Sequence, residues 1–169
     1  MFRVGEAVYH PNNGAGIIAN LQDMPAMDEP QQCYKIRILG KTKTMVMVPV
    51  QKAEEIGLRR AVAKSDVKEV LDILSSEPTN LPKQHKRRYK VCNDKLDTGN
   101  TDKIAEVLRD LTWRRIQEEK LNVAGRRIFN RGMKLLTGEL AVSQGITLQS
   151  AEEQINEALQ EQYERAESE

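Results

Sequence analysis

Hydrophobic positions along the chain follow two different rhythms, and the change comes near residue 60. In the first sixty residues they form short runs and alternations. Phe2, Val4 and Ala7-Val8-Tyr9 lead into HPNNGAG at 10–16. Pro11 cannot pair inside a sheet, and Gly14 and Gly16 tolerate positive φ, so this cluster predicts a turn. Ile17, Ile18 and Leu21 resume a strand, and the acidic stretch with two prolines at 22–32 reads as a loop. YKIRIL at 34–39 alternates, with Tyr34, Ile36 and Ile38 on one face and Lys35 and Arg37 on the other. GKTK at 40–43 predicts the next turn, and TMVMVPV at 44–50 alternates again. Several short strands with tight turns predict a small barrel or SH3-like sheet. With Val46 and Val48 inward, Met45 and Met47 face out. Pro49 marks that strand as an edge or its end. Such an edge invites a partner strand; the other reading buries both faces in a small barrel.

From about residue 65 the apolar period becomes three and four. Ser65 is a plausible N-cap for a helix carrying Val67, Val70, Leu71 and Leu74. SSEPTNLP at 75–82 interrupts it. A second helix carries Tyr89, Cys92 and Leu96 on one stripe, and TGN at 98–100 ends it. Ile104, Val107, Leu108, Leu111 and Trp113 mark a third. Gly125 opens a fourth, with Ile128, Phe129, Leu135, Leu136 and Leu140. After Gly145, Thr147 caps a last acidic helix with Leu148, Ala151, Ile155, Ala158 and Leu159 inward. The chain is therefore expected to be α+β and multi-domain. A small β-barrel at 1–60 is followed by an all-α bundle of about five helices at 61–169.

Charge changes this picture more than composition does. Over 169 residues the net charge is only +1, but its distribution is uneven. Residues 81–134 carry 15 Lys and Arg against seven Asp and Glu, and residues 135–169 carry one against eight. A local excess of +8 is an electrostatic footprint suited to nucleic acid. Its densest part is LPKQHKRRYK at 81–90, with five Lys or Arg in ten residues and no acid. A solvated helix face is the common origin of such a run, and a polyanion partner is the alternative.

Catalytic chemistry finds little support. Two histidines and the distant Cys33 and Cys92 match no familiar zinc spacing. No Gly-rich loop precedes a helix with a phosphate-binding lysine. Ser143 and Ser150 have no histidine nearby in sequence. GEL at 138–140 offers one carboxylate, read as a surface or helix-anchoring group. Neither an enzyme, nor a cofactor, nor a metal is expected. Hydrophobic content of 39% with 30% charged residues, no bilayer-length apolar run and no signal pattern predict a cytoplasmic globular protein.

Several motifs, in order from residue 2 to residue 141, carry a family resemblance. They are FRVGEAVYHPNNGAGII at 2–18, VPV at 48–50, GLR at 57–59, EPTNLPKQ, RRYK, EVLRDLTWRR at 106–115 and LLTGELA at 135–141. In these the chain resembles the CarD family of bacterial transcription regulators. The resemblance implies a Tudor-like N-terminal domain that binds the β subunit of RNA polymerase. It also implies a helical domain that meets the upstream edge of the transcription bubble, touching phosphates with basic residues. An aromatic side chain, usually Trp, enters the minor groove there, and the open promoter complex is stabilised without a sequence-specific operator.

Carried onto this chain, the expected DNA-facing residues are His85, Lys86, Arg87, Arg88 and Lys90, with Arg126 and Arg127 opening a later helix. For that later pair an ordinary solvated first turn is the alternative. Position 85 departs from the pattern: His85 stands where the family has its wedge Trp. A smaller wedge and a plain solvated residue are both open readings. Trp113 matches a core position, and Tyr89 is read as core. For the polymerase the expected residues are Arg37, Lys43, Met45 and Met47, where Met47 replaces a basic position. The expected partners are thus the polymerase β subunit and promoter DNA, with no membrane and a monomeric chain.

Overall fold

The structure, a computed structural model, describes residues 1–25, 28–40 and 42–169. Ala26 and Met27 of the expected loop and Lys41 of the expected turn lie outside the described residues. The first part is a five-stranded antiparallel sheet. Its strands are β1 (Ala7–His10), β2 (Gly14–Met24), β3 (Gln31–Ile38), β4 (Thr44–Pro49) and β5 (Arg59–Arg60), in the order β4-β3-β2-β1-β5. β4 is therefore an edge strand, as its Pro49 suggested. Among the described residues β4 and β5 do not pair with each other. One face of the sheet closes over Val8, Ile18, Tyr34, Ile36 and Val48, with Ala53 of the short helix α1 (Ala53–Ile56) and Leu58.

Two details of the sheet differ from expectation. The stretch 22–32 is not all loop: β2 runs to Met24 and β3 starts at Gln31, with Leu21 opposite Tyr34 and Met24 opposite Gln31. Beyond Leu21 and Cys33 those tips are exposed and mostly polar, so backbone pairing extends them. Gly16 lies inside β2, not in a positive-φ turn; a Cβ there would sit 2.6 Å from the Arg37 carbonyl oxygen. Close approach of two backbones requires that glycine. Gly14 does take φ +85, at the end of the turn.

The second part holds five helices: α2 (Val67–Ser75), α3 (His85–Asp97), α4 (Thr101–Glu118), α5 (Val123–Gln144) and α6 (Leu148–Glu167). Their caps follow local chemistry. Asn100, Asn122 and Thr147 accept a backbone N–H through their side chains at the starts of α4, α5 and α6. Ser65 is not the cap of α2. A 3-10 turn at Lys64–Asp66 shifts that role to Asp66, which makes no side-chain cap bond. Apolar stripes of all five helices share one core around Val70, Leu74, Cys92, Leu96, Leu108, Leu136 and Ile155. Trp113 is only half-buried and lies outside that core. Gln162 of α6 donates to the carbonyls of Leu74 and Ser76, and Arg165 donates to that of Ser75, so α6 closes the C-terminal end of α2. Among the described residues no helix is long and apolar enough to cross a membrane.

Sheet and bundle meet along α5, which packs on β1 and β2. Tyr9 and Ala15 of the sheet belong to the helical core. At this junction Glu139 of α5 is fully buried. It accepts from Arg59 Nη1 at 2.7 Å and Nη2 at 3.0 Å, from Thr101 Oγ1 at 2.9 Å and from the Val62 amide at 2.9 Å. The Arg59 guanidinium also lies 4.3 Å from the Tyr9 ring centroid and donates to the Gly99 carbonyl. The carboxylate at 139 is thus the anchor of its helix and not a surface group.

Breaking this pair leaves an uncompensated charge, so Glu139→Ala is expected to lower unfolding free energy by about 3 kcal/mol, measured by urea titration. The figure sits at the low end because Arg59 is one-third exposed and regains some water. A second expectation concerns pH. Burial holds the His10 imidazole below its ordinary 6.5. Its Nδ1 also accepts from the amides of Asn12 and Asn13, bonds that a proton there would end. The fold favours the neutral ring, so its contribution is complete above 6.5 and is lost as pH falls below that value. Stability measured from neutral pH down to about pH 5 should fall with a slope that His10→Gln flattens.

Candidate nucleic-acid interface

Two helix N-termini meet at one place. α3 begins at His85 after Gln84, and α5 begins at Val123 after Asn122. Asn122 joins them. Its Oδ1 accepts from the Gly125 amide at 2.9 Å and from the Tyr89 hydroxyl, and its Nδ2 lies 3.4 Å from His85 Nδ1. Neither first turn contains an acidic residue. Each N-terminus presents unpaired amides and the positive end of a helix dipole, which favours anions. Exposed around this point are His85, Lys86, Arg87, Arg126 and Arg127. The expected DNA-facing residues from two separate helices are thus brought together.

Ion pairing decides which charges of the basic block are free. Lys90, Lys95, Lys103, Arg109, Arg114 and Arg131 all have carboxylate partners. Lys90 is bound to Asp94 at 2.8 Å, and that hydrogen bond raises its pKa. It remains exposed one turn below the helix start. Arg115 lies over the Phe129 ring. Lys86, Arg87, Arg126 and Arg127 form no ion pair among the described residues. Four unpaired positive charges of the basic block therefore gather at the joint helix start.

Arg88 corrects the expectation placed on it. Only 1% exposed, it turns into the protein instead of towards solvent. Its Nη1 donates to the carbonyls of Pro82 at 3.2 Å and Lys83 at 3.1 Å, and its Nη2 meets His85 Nδ1 at 2.9 Å. The cause is helical phase: Arg88 is four residues before buried Cys92 and eight before buried Leu96. It braces the loop before α3 and presents no charge to a ligand. Tyr89 is half-buried rather than fully core, with its ring against the bundle and its hydroxyl on Asn122.

The second candidate surface lies on β3 and β4. Arg37 stands opposite Met45, and Lys35 opposite Met47. These four share the sheet face opposite Ile36 and Val48. Arg37 and Lys43 are exposed, Met45 is 41% exposed, and Met47 is half-buried. This edge is the far side of the sheet from β5, while the bundle packs on β1 and β2. Gly14 and Ala15 lie against α5 at Leu135 and Gly138, about 14–18 Å along the helix axis from Arg126. The two surfaces are therefore separate.

Comparison with known proteins gives the family. The CarD C-terminal domain matches residues 69–156, and the CarD-like/TRCF RID domain matches residues 2–62. A Bacillus subtilis (strain 168) protein named "Putative transcription factor YdeB" is 33% identical over 147 residues, 87% of this chain and 95% of that protein. The chain belongs to the CarD family of transcription regulators. Position 85 in this CarD-family chain is a histidine held by Arg88 and Asn122.

Two residues of this surface escape a reading of the sequence. Asn122 is legible as an N-cap, since Asn before a helix is a capping signal, but its bridge to α3 is a tertiary fact. Val123 is 54% exposed at the first position of α5, an apolar side chain amid basic ones. Asn122→Ala removes the cap and Tyr89's acceptor together. It is expected to cost about 1–2 kcal/mol in thermal or urea unfolding, while Tyr89→Phe, which leaves the cap intact, costs about 1 kcal/mol.

Proposed function

We propose that this protein bridges the RNA polymerase β subunit and the upstream edge of the promoter bubble, and thereby stabilises the open complex. Residues 1–60 hold the polymerase and residues 61–169 meet the DNA. The observation that carries the reading is the joint start of α3 and α5, with Lys86, Arg87, Arg126 and Arg127 exposed and unpaired. Phosphate contacts of this kind position a protein without reading sequence. Exposed Met45 on the edge strand β4, with Arg37 beside it on β3, suits the polymerase side, because an edge strand offers free backbone groups to a partner strand. The match of residues 2–62 to the CarD-like/TRCF RID domain supports the same assignment. The protein works in the cytoplasm, as a monomer and without catalysis.

One observation favours a second reading, a polymerase-bound adaptor whose helices leave DNA alone. It is His85, which buries less area than an indole and unstacks a base step less well. Salt dependence separates the two. For the promoter reading, affinity for forked promoter DNA falls steeply with salt, and Arg87→Ala/Arg126→Ala/Arg127→Ala makes the log–log slope shallower by about 2–3. The same triple variant should abolish the lengthening of open-complex lifetime measured with the cognate polymerase. A flat salt response together with an unchanged lifetime supports the adaptor.

A further inference from the structure

Arg88 is an unusual side chain to bury. It is fully enclosed, has no carboxylate partner among the described residues, and leaves its Nε without a hydrogen bond. Its polar contacts are two loop carbonyls and one ring nitrogen, His85 Nδ1 at 2.9 Å. A guanidinium has five N–H donors and no acceptor. His85 Nδ1 must therefore accept. Asn122 Nδ2, 3.4 Å from the same atom, is a second donor on the same side. With Nδ1 accepting, the proton of the neutral imidazole sits on Nε2. Nε2 has no partner among the described residues, and the residue is exposed.

From this geometry we propose that Arg88 is a positioning residue, and that it presents His85 Nε2–H as a fixed hydrogen-bond donor to a lone-pair acceptor on promoter DNA. The acceptor is either a base edge in the minor groove or a phosphate oxygen. This inference rests on the reading of the α3–α5 surface as DNA-binding. It changes the role of position 85 within that reading. An indole there would work by area and unstacking, whereas a ring whose tautomer and plane are held works by one directed bond. In the minor groove both A·T orientations display acceptors at adenine N3 and thymine O2, while guanine adds a donor. A fixed donor therefore suits A·T pairs. Holding the ring in the free protein also lowers the entropy lost on binding.

The first test needs no DNA. The chain has two histidines, so long-range 1H–15N spectra under mildly alkaline conditions resolve both rings. His85 is expected as the Nε2–H tautomer. Arg88→Met should convert it to a tautomer mixture while the His10 pattern, which reports an intact sheet, stays as it is. A wild-type His85 carrying its proton on Nδ1 overturns the proposal.

The second test reads open-complex lifetime with the cognate polymerase, using substitutions at the exposed position 85, each checked first by urea unfolding because Arg88 Nη2 can lose its ring acceptor. His85→Gln keeps a donor and should retain most of the effect. His85→Phe keeps a flat ring without one, and with His85→Ala it should shorten the lifetime about three- to tenfold. Promoters carrying 3-deazaadenine or methylphosphonate at single positions of the upstream edge then identify the acceptor. The first modification removes His85 dependence for a base edge, the second for a phosphate. His85→Phe matching or exceeding wild type means a stacking wedge and overturns the proposal, as does His85 dependence that survives both modifications. If wild type itself leaves the lifetime unchanged, the promoter reading falls and this inference falls with it.

Discussion

The junction of sheet and bundle is registered to one buried carboxylate. Glu139 brings together Arg59 from β5, the Val62 amide just after it, and Thr101 at the start of α4. A carboxylate can be buried at this depth only when its lone pairs are filled, and here four donors from three segments fill them. Arg59 spreads the constraint further by lying on Tyr9 and bonding the Gly99 carbonyl. The sheet and the bundle are therefore not two beads on a linker. A charge network spans the junction between them.

That constraint gives α5 two different ends. Its C-terminal half lies on the sheet, with Gly138 against Ala15, and carries the anchor. Its N-terminus stands clear and holds Arg126 and Arg127 beside the start of α3. α5 is one continuous helix from Val123 to Gln144, so its buried end helps place its basic end. For the bridging role proposed above, this rigidity matters as much as the charges do. A free hinge would spend part of the binding energy on ordering.

How far the sequence alone reveals this depended on whether an element had one buried face. YKIRIL and TMVMVPV were legible as strands because core and solvent sides alternate in them. The five helices were legible from their stripes, and Asn100, Gly145 and Thr147 from cap and break chemistry. The tips of β2 and β3 were not, because residues exposed on both faces carry no period. Arg88 was missed because a charge within a basic run is expected to face water, although its spacing of four from Cys92 pointed inward. Glu139 was only half-read, as a helix anchor or a surface group, since burial of a lone carboxylate depends on Arg59, eighty residues away. Of the candidate sites, the exposed charges were legible and the framework that holds them was not.

The attachment of α6 to the end of α2 has a consequence for the order of assembly. The carbonyls of Leu74, Ser75 and Ser76 find their donors 86 to 90 residues later in the chain. At ribosomal speed those partners emerge about 4–18 s after α2 does. The sheet, built from neighbouring hairpins, has time to form first. The end of α2 keeps its last carbonyls open until α6 docks, so the sheet of a nascent molecule matures before its helical half is complete.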